Sequence, residues 1–88
     1  MELFMIESTR DPAALKLLDE LGLTHLESSD AVKERISTLN MRQLDRLKLT
    51  LVRVSANNPA YSEETKAGIR RNDYGALADA ALILASDR

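Results

Sequence analysis

Residues Asn40–Asn57, NMRQLDRLKLTLVRVSAN, are the stretch whose reading decides the fold. Taken at helical period, Met41, Leu44, Leu47, Leu51 and Val54 form an apolar stripe, and Leu49, Val52 and Ala56 widen it past half the circumference. A one-sided surface helix needs a stripe of only about 100°. The excess predicts a central helix with neighbours on two sides. The remaining face carries Arg42, Gln43, Arg46, Thr50 and Arg53, with the three arginines on one ridge. Asn40 followed by Gln43 has the spacing of a capping box, in which each side chain satisfies the other residue's backbone N–H.

The same stretch has a rival reading. Leu47-Lys48-Leu49-Thr50-Leu51 alternates at period two, as a half-buried strand does, and Val52-Arg53-Val54 continues it imperfectly. The only evident partner for a strand over Leu47–Val54 is the apolar Leu3–Ile6, which gives a small α+β fold. Cap and stripe agree on the helix, and agreement between independent local signals decides for it.

Outward from this stretch, the flanks also read as helices. Asp11-Pro12 is a cap followed by a proline at the first helical position, where its missing N–H costs nothing. A helix follows from Pro12 to Leu21, burying Ala14, Leu15, Leu18 and Leu21 and stopping at Gly22. Leu23–Ser29 is a connector with Leu23 and Leu26 turned inward, and Thr24 with Glu27 has the spacing for one extra helical turn. Ser29 or Asp30 caps a second helix through Ser37 that buries Val32, Ile36 and Leu39. After the central helix, Asn57-Asn58-Pro59 is the strongest breaker in the chain. Ser62–Arg71 then reads as a mostly polar helix, with Glu63 and Glu64 at its positive end and Arg70 and Arg71 at its negative end.

From Asp73 the apolar residues Tyr74, Leu77, Ala78, Ala81, Leu84 and Ala85 fall out of phase with the preceding segment. One straight helix places Arg70 and Asp73 on the apolar stripe, so a break is predicted at Asn72–Gly75. The expectation for residues 1–88 is therefore one all-α domain, a compact bundle of four or five short helices.

Composition narrows the function classes. A chain of 88 residues has the size of one small domain. With aromatics at 3% its core has to be aliphatic, and small aliphatic cores are often completed by a partner chain. The net charge of −2 argues against a dedicated nucleic-acid binder. There is no cysteine, hence no disulfide or thiolate chemistry. MELFMIESTR does not read as a secretory signal, and no apolar run approaches the ~20 residues of a bilayer span. These features predict a cytoplasmic protein.

No pattern in the chain carries chemistry. His25 is the one histidine and has no second ligand at H-x-x-x-H or E-x-x-H spacing. Gly22, Gly68 and Gly75 are too dispersed for a phosphate loop, and Glu63-Glu64 is explained by the helix dipole. We expect no enzyme, no metal and no cofactor.

Two surfaces stand out instead. Arg42, Arg46 and Arg53 form one basic ridge, and Lys66, Arg70 and Arg71 form a second cluster. Together they are the candidate partner-binding residues, each cluster weighed against the plain solvated face of an amphipathic helix. The apolar supply looks generous for one small bundle, which predicts a homodimer with Leu44, Leu51, Leu77 and Leu84 as candidate self-association residues. The functional expectation is a small non-catalytic regulatory or adaptor protein, an inhibitor, anti-activator or chaperone-like subunit that binds another protein. The alternative is a dimeric DNA-binding regulator with a helix-turn-helix-like unit over residues 30–47, its recognition helix starting at Arg42, Gln43 and Arg46.

Overall fold

The computed structural model describes residues 11–86, and within them the chain is all-helical: α1 Pro12–Glu20, α2 Ser29–Ile36, α3 Met41–Ser55, α4 Glu63–Arg70 and α5 Tyr74–Ala85. Each helix begins on a side-chain cap. Asp11 accepts from the Ala14 amide, Ser28 from Ala31, Asn40 from Gln43, Ser62 from Thr65 and Asp73 from Gly75. Each such bond satisfies one of the orphan donors of a first turn, and losing one costs about 1 kcal/mol. At α3 the capping box is complete, because the Asn40 amide donates to Gln43 Oε1 at 3.0 Å and the Gln43 amide to Asn40 Oδ1 at 2.8 Å.

Leu47–Val54 lies inside α3, which removes the strand reading; its supposed partner, Leu3–Ile6, is outside the described residues. Two further local expectations shift. The cap of α2 is Ser28, one residue before Ser29. The extra turn at Thr24 does not form, because the Thr24 hydroxyl donates back to Asp19 Oδ1 at 3.1 Å instead.

Two helices stop in the same way. Gly22 has φ +74° and Leu23 N–H donates to the Leu18 carbonyl at 2.8 Å. Asn72 has φ +61° and Asp73 N–H donates to the Gly68 carbonyl at 2.9 Å. Both are left-handed C-terminal stops, the conformation that glycine, and less readily asparagine, adopts without a large penalty. The second one is the break predicted at Asn72–Gly75. It lets α5 restart in its own phase.

The core is formed by Ala14, Leu17, Leu18, Leu21, Leu23, Val32, Ile36, Leu47, Leu51, Tyr61, Ile69, Leu77, Ala78, Ala80, Ala81 and Leu84. Burying each large aliphatic side chain among them contributes roughly 1.5–3 kcal/mol. The central element is not α3, as its stripe suggested, but α5, which packs against all four other helices. Its sequence, YGALADAALILA, is apolar nearly all round, as a surrounded helix has to be. Its alanines also let neighbours come close. The crossing with α4 is a close one, since a Cβ added at Gly68 would stand 2.4 Å from the Ala76 methyl.

α3 packs on α1, α4 and α5 and buries only Leu47, Leu51 and Ser55. Leu49 is 60% exposed and Met41 86% exposed, against the expected stripe. Two residues of helix turn the side chain ~200°, so Leu49 emerges on the side opposite Leu51. Met41 is the first residue of α3, and a helical side chain leans toward the N-terminus, so it runs off the end of its helix.

Candidate protein-binding surface

The candidate surface is the solvent side of α3. In projection at ~100° per residue, Leu49 lies within about 60° of Arg42, Arg46 and Arg53, so an apolar side chain interrupts the basic ridge. All four are exposed. Asp45 is exposed beside them. At the start of α3, Met41, Arg42, Leu44 and Asp45 line a groove of about 440 Å³ whose far wall is Asn72 in the α4–α5 turn.

Two of the arginines hold α1 to α3. Arg53 is bonded to Asp11 at the start of α1, and Arg46 approaches Glu20 at the end of α1 at 3.9 Å. The two helices therefore run antiparallel. Asp11 does two jobs, with Oδ1 capping α1 and Oδ2 accepting from Arg53. Partial burial raises the Asp11 pKa, but the Arg53 hydrogen bond, the Ala14 amide and the guanidinium charge outweigh it and hold the carboxyl below its ordinary 3.8.

In the second basic cluster, two of the three cations lie beside acids. Lys66 reaches Glu63 at 3.3 Å along its own helix, and its side chain is only 12% exposed. Arg70 is exposed. Arg71 lines a shallow depression with Glu64, Thr65, Asp73, Gly75, Ala76 and Asp79, where carboxylates outnumber it. Of the six cations in the two clusters, Arg46, Arg53 and Lys66 are matched by acids, and Arg71 sits among them.

Of the four leucines assigned to self-association, Leu51, Leu77 and Leu84 are fully buried within one chain and belong to its core. Only Leu44 keeps exposed surface. Much of the apolar supply is taken up by α5 and its four neighbours, while Met41 and Leu49 of α3 stay exposed. His25 is exposed on the α1–α2 connector.

The helix-turn-helix reading meets three features. α2 packs chiefly on α5 rather than on α3. Gln43 is engaged in the capping box, and Arg46 leans toward Glu20. A recognition helix needs such N-terminal side chains directed at base edges.

Comparison with known proteins returns no match: no family model, no curated protein and no solved structure aligns with this chain.

What sequence reasoning missed was the exposure of Met41 and Leu49. The signal for Leu49 was present, since projection at ~100° per residue places it among the arginines. The pairing of Arg53 with Asp11, 42 positions apart in the chain, had no local signal at all.

Proposed function

We propose that this chain is a small non-catalytic regulatory or adaptor protein that acts by binding another protein through the groove at the start of α3. The observation that carries the reading is Met41. It is a large flexible apolar side chain, 86% exposed, at the mouth of a groove it shares with Arg42, Leu44, Asp45 and Asn72. Exposed methionine adapts its shape to a partner at little cost and recurs at binding surfaces. The flanking Arg42 and Asp45 supply one charge of each sign, which orients a partner more than it adds affinity.

The partner suited to this groove is an amphipathic helix that inserts one or two apolar side chains beside Met41 and Leu44. A photo-crosslinking amino acid placed at position 41 tests it in the native cell, against the same group at the exposed Ala13 of α1. The reading expects a discrete adduct at 41 that is absent at 13 and lost with Leu44→Glu. Identical adduct patterns at 41 and 13 would overturn it. DNA binding is the reading it displaces. Affinity for duplex DNA falling steeply with salt, and lost on Arg42→Ala, would restore that alternative.

A further inference from the structure

We propose that a second copy of this chain docks on the α3 ridge, antiparallel helix to helix, with Leu49 on the two-fold axis. This surface is centred on Leu49 and shares Arg42 and Asp45 with the groove at Met41, but the inference does not depend on the groove's function. Leu49 is a leucine 60% exposed on the middle of the longest described helix, on the side facing away from the core. Exposed single leucines are common and need no explanation by themselves. Its charged surroundings make this one specific.

In an antiparallel pair centred on Leu49, each residue faces the one equally far on the other side of it. Asp45, four residues before, faces Arg53, four residues after, in the second copy, and the symmetry repeats the pair. Arg46 faces Val52, and Arg42 faces Ala56. No cation of the ridge meets another. Arg53 remains available for this contact, because its side chain is 56% exposed while it holds Asp11. It would then sit between two carboxylates, one from each chain.

The alternatives are penalised by the same charges. A parallel pair through Leu49 sets Arg42, Arg46 and Arg53 each against its own copy. Shifting the antiparallel axis to a point midway between Leu47 and Lys48 sets Arg42 against Arg53. Like charges placed directly opposite disfavour both arrangements. With Leu49 on the axis the antiparallel surface is self-complementary, which is what an isologous contact requires. A single helix face per copy falls below the ~1,200 Å² of a standard stable interface. The association is accordingly weak, and high protein concentration is needed to see it.

The test uses the full chain, which contains no cysteine, so that introduced thiols report without background. Sedimentation equilibrium of the wild type into the millimolar range should show reversible dimer. Leu49→Glu should be monomeric at every concentration with an unchanged melting temperature, since the site is solvent-exposed. Asp45→Arg, which sets a new cation against Arg53 at both symmetric positions, should weaken the dimer at least about tenfold. Met41→Glu should leave it intact, which separates this contact from the groove. Under mild oxidation Leu49→Cys should form an intermolecular disulfide, because symmetry brings the two positions together within reach of a bond. Met41→Cys should not, because the two copies of position 41 lie about 24 Å apart at 1.5 Å per residue. A strictly monomeric wild type overturns the proposal. So does a dimer that survives Leu49→Glu, or cross-linking at position 41 equal to that at 49.

Discussion

α3 and α5 are the two helices richest in large apolar residues, and the fold treats them oppositely. α5 touches every other helix and buries Leu77, Ala78, Ala80, Ala81 and Leu84, whereas α3 buries Leu47, Leu51 and Ser55 and leaves Leu49 and Met41 in solvent. Counting apolar residues does not separate the two. Side-chain size and phase do. The alanines of α5 allow helices to approach on several sides, and the Gly68–Ala76 crossing is one of these close approaches. The arginines of α3 reserve one side for water, and the leucine among them shares that side whatever its own preference.

Charge placed on each helix gives the largest contrast. Leu84→Asp puts an unpaired carboxylate in a fully buried site, and with nothing there to compensate it should abolish cooperative unfolding. Circular dichroism melts would show this directly. Leu49→Asp should fold normally, within about 0.5 kcal/mol of wild type, as exposed substitutions do. Equal effects at the two sites would break the comparison.

The α4–α5 crossing provides the next test. Gly68→Ala adds a methyl that has no room beside Ala76, and overpacking of this kind costs about 1–3 kcal/mol in spite of the better helix propensity of alanine. Adding Ala76→Gly to Gly68→Ala should recover part of the loss, which a denaturant-unfolding double-mutant cycle measures. No recovery would mean that the close approach is not what limits stability.

A smaller effect is expected at the α1–α3 clasp. Asp11→Ala removes a cap and the Arg53 partner together, and should cost about 1–2 kcal/mol. Its pH dependence has a definite sign. The folded-state pKa of Asp11 lies below 3.8, so its contribution is complete above pH 3.8 and is lost as pH falls through the lower folded value. The stability difference between wild type and Asp11→Asn should therefore shrink with acidification below pH 3.8 and stay flat above it. A gap that widens on acidification would contradict the assignment.

The smallest effect belongs to Arg46. Its 3.9 Å approach to Glu20 is solvent-exposed at both ends, and Arg46→Ala should change stability by less than about 1 kcal/mol.

Much of the fold was legible in local chemistry. Asp11-Pro12, Asn40 with Gln43, and Ser62 announce helix starts because the capping oxygen and the amide it satisfies are three residues apart. Gly22 announces a stop for a similar reason. The out-of-phase apolar patterns on either side of Asn72 required a break there, whatever the tertiary arrangement. These signals depend on atoms close in the chain, and a single sequence is enough to read them.

Which helix became the centre was decided only by the tertiary structure. Burial depends on what packs against a face, and the faces that meet belong to separate segments: Gly68 against Ala76 across a turn, Arg53 against Asp11 across 42 positions, α2 against α5 across the whole second half. Leu51, Leu77 and Leu84 looked like spare apolar surface until neighbours were placed around them. Leu49 looked like core until its phase set it among arginines. The sequence alone determined most helix starts and stops, because caps and stops are made by near neighbours. Only the packed structure determined which apolar residues are hidden and which remain available to another chain, because burial belongs to a pair of surfaces and never to one.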